Sequence, residues 1–169
     1  MNTSIRTHEG RVALVTGAGQ GIGQAIALAL AQRGAQVIAP DLTLPNETVA
    51  KIGPSAYAFQ LDVTQEENWR SVSLKSRDVG DVDIVVNNAG YFPNRSIDEL
   101  DLPTWRKTTA TNLDAHFLSA KYFLPGMRRK KWGPFRRHIV KHGRLGHTRH
   151  EPLHHHKDGN HWVHARIGE

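Results

Sequence analysis

The sequence predicts an α/β fold in which a parallel sheet is covered by helices on both faces. Short apolar runs alternate with longer segments of helical pattern over residues 11–133. Alternation of this kind is typical of parallel strands joined by right-handed crossovers, which is a doubly wound sheet. The pattern supplies only four or five strands before it stops near Gly133. We therefore expect a sheet that is truncated after about that number of strands.

The first half of the pattern predicts three strands and two helices. The strands are 11–16, 36–39 (ending at Asp41) and 56–61, and the helices are 22–33 and 45–52. Residues 22–33 are rich in Ala and Leu, so we expect a largely buried helix that is ended by Gly34.

The second half predicts two more helices around a fourth strand. Thr64 and Glu67 have the spacing of a capping box, which would open a helix with Trp69, Val72 and Val79 facing inward. Residues 83–86 form the fourth strand. A second capping box, Ser96 with Glu99, precedes a long helix from about Thr104. The predicted apolar face of that helix contains Trp105, Leu113, Phe117, Ala120 and Leu124.

The composition excludes several classes of protein. The 169 residues are 38% hydrophobic and 22% charged, as in ordinary globular domains. There is no Cys, which excludes disulfides, thiolate chemistry and Cys-containing zinc sites. No run of about 18 apolar residues and no signal-peptide pattern occurs, so we expect a cytoplasmic protein without a membrane partner.

The composition changes at Gly133 and divides the chain into two parts. Residues 134–169 contain 9 of the 11 His and 7 of the 22 Lys and Arg, but only 9 apolar residues. Such a segment buries too little apolar surface to offset the entropy of ordering. We expect one folded domain over 1–133 and a disordered His/Arg-rich tail over 134–169, in which 135–140 could imitate a fifth strand beside 83–86.

A glycine-rich turn joins the first strand to the first helix. The segment Thr16-Gly-Ala-Gly-Gln-Gly-Ile-Gly23 would bring backbone close to a pyrophosphate at the helix N-terminus. Its candidate contacts are Gly17, Gln20, Gly21, Ile22 and Gly23. A structural glycine turn is the alternative.

Asp41 ends the second strand, 24 residues after Gly17. A carboxylate there can accept both hydroxyls of an adenosine ribose and would repel a 2′-phosphate. Neither Gln20 nor Leu42 offers a positive charge to such a phosphate. The sequence therefore favours NAD over NADP, with a helix cap or turn residue as the alternative role of Asp41.

Taken together, these motifs resemble the short-chain dehydrogenase/reductase family over residues 11–133. The resemblance rests on TGAGQGIG, Asp41, Asp62-Val63, NNAG at 87–90 and Asn112. It implies a Rossmann-type NAD-binding domain, in which Asp62 and Val63 flank the adenine and Asn88, Ala89 and Gly90 lie along the nicotinamide ribose. It also implies that Asn112, the candidate catalytic residue, kinks its helix and holds a water in a proton relay.

The resemblance implies an activity, a substrate class and a partner. The activity is reversible oxidation of a secondary alcohol to a ketone with hydride transfer to NAD, on a small-molecule substrate whose surviving wall would be Tyr91, Phe92 and Pro93. Family members are homo-oligomers that pair through the helix containing Asn112 and through one that follows the catalytic Tyr. Because the second of these helices is absent here, we expect assembly to be impaired.

The family's catalytic residues are missing from the printed sequence. The family places a Ser after the fifth strand and a Tyr-x-x-x-Lys about thirteen residues later. After Ala120 this chain contains no Ser and one Tyr, Tyr122, with no Lys four residues on. We therefore expect the chain itself to be inactive, and a catalytically silent NAD-binding remnant is the alternative to an enzyme.

The tail is compatible with family sequence read in another frame. Taking the last two bases of each codon with the first base of the next permits Ser at Val140, Tyr at Leu153 and Lys at Lys157. This restores both family spacings. We infer a one-base insertion or two-base deletion near Gly133, which also accounts for the histidines.

The alternative functions of the tail are a His-rich metal site and nucleic-acid binding by residues 128–149. We predict no evolved metal site and no specific nucleic-acid partner.

Overall fold

A computed structural model describes residues 6–137, which form a five-stranded parallel sheet in the order β3-β2-β1-β4-β5. The strands are β1 Val12–Val15, β2 Gln36–Asp41, β3 Ala56–Gln60, β4 Ile84–Asn87 and β5 Phe135–Arg137. The helices are α1 Gly21–Gln32, α2 Asn46–Ile52, α3 Glu66–Lys75, α4 Leu102–Thr109 and α5 Ala115–Arg129, with a π-helical segment, Ala110–Asp114, between the last two. The predicted doubly wound α/β architecture is confirmed.

The two faces of the sheet are packed by different kinds of side chain. Small residues predominate between the sheet and helices α1 and α2, among them Ala13 and Ala39 of the sheet and Ala27 of α1. The face toward α3 and α5 takes larger side chains, including Trp69 and Phe123, whose rings meet edge to face with centroids 6.3 Å apart. Burial on both faces explains why the strands are continuous apolar runs rather than alternating ones.

Two predicted helix features are wrong. Helix α1 is half-buried rather than largely buried: it packs Gly23 and Ala27 inward while Ile22 is exposed. The box of Thr64 and Glu67 does not form, and α3 begins at Glu66. Thr64 instead donates its N–H and its hydroxyl to the Asp62 carboxylate, because a turn Asp competes effectively for nearby donors. Trp69 and Val72 are buried as predicted.

The predicted apolar face of the long helix is wrong for three of its five residues, whereas Ala120 and Leu124 are half-buried and Leu124 packs against the core. Trp105, Leu113 and Phe117 are 53%, 59% and 66% exposed. The buried face of α5 presents different residues to α3 and the sheet: Ala115, Leu118, Ser119, Phe123 and Met127. The regular spacing of large apolar residues therefore marked the outer surface. The capping box of Ser96 and Glu99 does form, around the 3₁₀ turn Ile97–Glu99 that precedes α4.

Asp83 links the end of α5, which precedes the fifth strand, to the start of β1. Its carboxylate accepts the Val12 N–H at 3.0 Å and contacts Lys130 Nζ at 3.0 Å and Arg11 at 3.4 Å. The Arg11 guanidinium also stacks 3.7 Å from the centre of the Trp132 ring. Phe135–Arg137 then pairs in parallel with Val85–Asn87. The fifth strand predicted over 135–140 is therefore confirmed for these three residues.

The tail after Arg137 lies outside the described residues, and so does the rest of the strand predicted to end at Val140. The His run at 154–156 falls in the same part. Within residues 6–137, no helix has the length and apolar character needed to cross a bilayer.

Candidate functional site

A pocket among the described residues opens at the carboxyl edge of β1, β2 and β4. Its volume is about 710 Å³, within the range of ~300–1,000 Å³ that is usual for ligand sites. This edge, where the chain leaves β1 for one side of the sheet and β4 for the other, is where doubly wound folds bind their ligands. The lining residues are Gly17, Gln20, Ile22, Gly23, Asp41, Leu42, Leu61, Asp62, Val63, Thr64, Asn88, Ala89, Gly90, Tyr91, Lys107 and Thr111.

The glycine-rich turn has the close approaches that only glycine permits. Gly17 has φ +65°, and a Cβ there would lie 3.0 Å from the Ala89 Cα. A Cβ at Gly23 would overlap the Gly17 carbonyl oxygen. Helix α1 begins after Gln20 without a side-chain cap, so its N-terminus is open to an anion. These features fit a pyrophosphate cradle.

Asp41 lies at the rim of this pocket and holds the turn. Its Oδ2 accepts the Gly19 N–H at 2.7 Å, and its Oδ1 accepts the Leu42 N–H at 2.7 Å. Each oxygen keeps lone pairs for a further donor. A Cβ at Gly19 would lie 2.8 Å from Oδ2, so a side chain there would displace the Asp41 carboxylate.

A smaller pocket of about 320 Å³ continues beyond Asp41 toward α2. Its lining contains two carboxylates, Asp41 and Glu47, and no Lys or Arg among the residues the structure describes. Lys51 pairs with Glu47 at 2.6 Å and holds the pKa of that carboxyl below its usual range. Because Lys51 offsets the charge of Glu47, Asp41 is the main negative charge in the lining of this pocket.

The Asp62-Val63 segment forms a second wall of the large pocket. The Asp62 N–H donates to Asn68 at 3.1 Å, and the Val63 carbonyl accepts the Trp69 indole N–H at 2.8 Å. Both bonds tie the segment to α3. The two bonds to α3 thus hold Asp62 and Val63, the predicted adenine-flanking pair, in place.

The NNAG segment is bound directly to the glycine-rich turn. Thr16 Oγ1 accepts the N–H groups of Asn88 and Ala89, each at 3.0 Å. Asn88 Nδ2 donates to the Thr16 and Gly17 carbonyls at 3.0 and 3.2 Å. The two predicted motifs therefore form one rigid unit.

Asn112 lies in the π-helical segment and does not line the pocket. Its Nδ2 donates to the Tyr91 carbonyl at 2.6 Å, and its Oδ1 accepts the Tyr91 N–H at 3.0 Å. A π segment of this kind often occurs at a functional site. The π-helical segment interrupts the helix at the position of the predicted kink, and the Asn112 side chain holds the chain that follows Gly90.

Ten of the eleven predicted cofactor residues line the pocket. The eleventh, Gly21, lies in the turn, where it has a φ of +56°. Leu42, Leu61, Thr64, Lys107 and Thr111 also line the pocket and were missed. The first three adjoin predicted residues in sequence. Lys107 and Thr111 lie four residues apart on the helix of Asn112, which is the spacing that could have revealed them. Lys107 Nζ lies 4.3 Å from the centre of the Tyr91 ring.

Tyr122 is remote from this site. It lines a different groove, between α3 and α5, and its hydroxyl donates to Glu66 at 3.1 Å. Desolvation, followed by the bond to Glu66, raises the pKa of the phenol above its ordinary value. A general acid needs the opposite shift, toward the working pH, so the structure does not offer Tyr122 as one.

Comparisons with known proteins agree on one family. A family model described as short chain dehydrogenase matches residues 11–135. A 3-oxoacyl-[acyl-carrier-protein] reductase of Vibrio cholerae is 40% identical over 131 residues, covering 74% of this chain and 52% of the relative. Estradiol 17-beta-dehydrogenase 11 of Mus musculus is 36% identical over 137 residues, covering 78% and 45%. The chain spans about half the length of these relatives.

Solved structures give the same answer. A protein of Sinorhizobium meliloti, provisionally described as a short-chain alcohol dehydrogenase, superposes with a TM-score of 0.73 at 37% identity, covering 78% of this chain and 54% of that one. An NAD(P)-dependent gluconate 5-dehydrogenase candidate of Beutenbergia cavernae, with bound NADP, gives 0.71 at 35% identity and the same coverages. The chain therefore belongs to the short-chain dehydrogenase family.

Proposed function

We propose that residues 11–133 bind the adenosine and pyrophosphate of NAD, as the cofactor-binding half of an oxidoreductase site for a secondary alcohol or ketone. The uncapped N-terminus of α1 would hold the pyrophosphate. Asp62 and Val63 would flank the adenine, and Asn88, Ala89 and Gly90 would lie along the nicotinamide ribose. When bound, the nicotinamide supplies the hydride acceptor or donor.

The choice of NAD over NADP rests mainly on Asp41. Its carboxylate is fixed by the Gly19 and Leu42 N–H groups, with lone pairs left for two ribose hydroxyls. A 2′-phosphate would meet Asp41 and Glu47 in the adjacent smaller pocket, whose described lining holds no cation. The negative charge of Asp41 would repel the phosphate and so disfavour the binding of NADP.

Calorimetric titration with NAD and NADP tests this proposal. The unmodified chain should bind NAD more tightly, and Asp41→Ala should remove most of the preference because the ribose loses its acceptor and the phosphate loses its repulsion. Asp78→Ala, at an exposed carboxyl in the 3₁₀ turn Ser76–Asp78, is the matched control and should change neither affinity. Equal affinities for the two nucleotides in the unmodified chain would refute the assignment.

We also propose that these 169 residues hold the cofactor without completing the reaction. The family's Ser and Tyr-x-x-x-Lys do not occur at the expected place in the sequence. A positioned general acid contributes roughly 10²- to 10⁴-fold to a rate. The substrate wall is reduced to the segment after Gly90, which Asn112 fixes through Tyr91.

The reading frame offers an explanation for the missing residues. We propose that a one-base insertion or two-base deletion near Gly133 places the codons for the Ser, Tyr and Lys out of frame at Val140, Leu153 and Lys157. Sequencing the coding DNA across codon 133 tests this directly. A shifted frame without a Tyr-x-x-x-Lys would exclude it.

The exposed side of the long helix supports pairing with a second copy. We call Leu102, Trp105, Leu113 and Phe117 the outer apolar surface; each is at least half exposed. Several large apolar side chains on one exposed surface are typical of an interaction site. Because family members pair through the helix that contains Asn112, we propose a homodimer through this surface.

A further inference from the structure

Helix α2 is hydrogen-bonded to the glycine-rich turn. The Thr48 side chain is fully buried, and its hydroxyl donates to the Ala18 carbonyl at 2.7 Å. Gln24 Nε2 donates to Thr48 Oγ1 at 2.9 Å and to the Gly19 carbonyl at 3.2 Å. Thr48 and Gln24 themselves belong to none of the motifs on which the family resemblance rests.

The network continues outward to a charged pair. Lys51 Nζ donates to Gln24 Oε1 at 3.2 Å and pairs with Glu47 at 2.6 Å. Because Lys51 can only donate, it fixes the amide of Gln24 with Nε2 toward the turn. The turn is thereby held by an ordered chain of donors and acceptors.

The geometry of the peptide unit converts this hold into an orientation. In a planar trans peptide the C=O and the following N–H point in opposite directions. The Ala18 carbonyl points to Thr48 while the N–H of the same peptide, that of Gly19, points to Asp41. The Gly19 carbonyl points to Gln24, so the N–H of its peptide, that of Gln20, points away from Gln24.

We infer that Thr48 and Gln24 are positioning residues that aim the Gln20 N–H at the pyrophosphate of the cofactor. The inference rests on the proposed binding of NAD. Thr48 and Gln24 do not line the pocket at the carboxyl edge of the sheet, whereas Gln20 does. They act by holding two carbonyls of the turn before any ligand arrives, which lowers the ordering cost of binding.

The experiment compares ligands with and without a pyrophosphate. Dissociation constants for ADP-ribose and adenosine are measured with Thr48→Val, which removes the donor at nearly constant volume, and with Thr48→Ser, which keeps it. Thr48→Val should weaken ADP-ribose about tenfold, the scale of one lost hydrogen bond, and adenosine less than twofold. Thr48→Ser should restore most of the ADP-ribose affinity. Gln24→Met, at a half-buried residue, should reproduce the Val pattern even if Thr48→Val folds poorly.

Ser76→Ala is the control for a merely structural effect. Ser76 is a buried hydroxyl that donates to the Ser73 carbonyl at 2.9 Å, away from the turn. This variant should change neither affinity. If Thr48→Val weakens ADP-ribose and adenosine equally, or if Thr48→Ser behaves like Thr48→Val, the positioning role is overturned.

A measurement without ligand separates this inference from the proposed function. Amide hydrogen exchange at Gly19 should accelerate about tenfold in Thr48→Val, because its peptide loses one of two anchors. Unchanged exchange overturns the positioning role. An unmodified chain that binds neither NAD nor ADP-ribose would refute the proposed function, and the inference built on it, even if the exchange result appears.

Discussion

Asn112 and Tyr91 form a reciprocal pair of hydrogen bonds, with the Asn112 amide donating to the Tyr91 carbonyl at 2.6 Å and accepting its N–H at 3.0 Å. One side chain thereby satisfies both backbone groups of a loop residue. The π-helical segment Ala110–Asp114 places Asn112 at this point of the chain. The pair links the helix to the pocket wall at Gly90 and Tyr91.

Removing this pair should loosen the pocket wall. Asn112→Ala should lower the free energy of unfolding by about 1–2 kcal/mol, because two half-buried backbone groups lose their partner. Urea denaturation measures the change. Asn94→Ala, at an exposed position of the same loop, is the control and should stay within about 0.5 kcal/mol of the unmodified chain. Equal stabilities of the two variants would contradict a role for the pair.

Asp83 should be a major determinant of stability. It is 2% exposed, and its carboxylate accepts the Val12 N–H while contacting Arg11 and Lys130. Asp83→Ala leaves the buried N–H unsatisfied, whereas the two partly exposed cations can turn to water. We expect a loss of about 2–3 kcal/mol in urea denaturation.

The neighbouring carboxyl provides the control for Asp83. Asp81 is exposed, and it is the Asp81 backbone carbonyl that accepts Lys130. Asp81→Ala should therefore have little effect. A loss below about 0.5 kcal/mol in Asp83→Ala would show that the network contributes no net stability.

The outer apolar surface should decide the oligomeric state. The carboxylate introduced by Trp105→Glu or by Phe117→Glu would be buried without a partner at a dimer interface. Both variants should therefore be monomeric. Sedimentation velocity measures the distribution over a range of concentrations. Leu74→Glu, which alters an exposed leucine of α3, should leave it unchanged. An unmodified chain that stays monomeric at high concentration would exclude pairing through this surface.

Tyr122 should titrate above the ordinary phenol range. Desolvation raises its pKa first, and the bond to the Glu66 carboxylate raises it further, since both favour the neutral phenol. Glu66→Gln should lower the midpoint but not restore the ordinary value. Absorbance at 295 nm, compared with Tyr122→Phe, isolates this phenol from Tyr57 and Tyr91. A midpoint at or below the ordinary value would contradict the raised pKa of Tyr122.

The strands and the cofactor motifs could be predicted because their signals are local. A buried parallel strand is a continuous apolar run, and the glycine turn is required by backbone approaches such as that of Gly17 to Ala89. The exposed face of the long helix could not be predicted. Trp105, Leu113 and Phe117 have the periodicity of a core face, and periodicity does not tell whether the face packs on its own sheet.

The missed parts of the site depend on tertiary geometry. Thr48 and Gln24 meet only because α2 packs beside the glycine turn, 24 residues away in sequence. Thr64 formed no capping box because the Asp62 carboxylate, nearer along the chain, took both of its donors. Such competition between partners is decided by distances that the sequence pattern does not contain.

The central claim is that this chain holds NAD but has no proton donor for the reaction. The most direct measurement is NADH formation at 340 nm, with the purified 169-residue protein at NAD concentrations for which calorimetry has demonstrated binding, over a panel of secondary alcohols. The account predicts no rate above that of the solution without protein. Turnover that persists through purification and disappears in Gly23→Val, which would block the glycine turn, would contradict it.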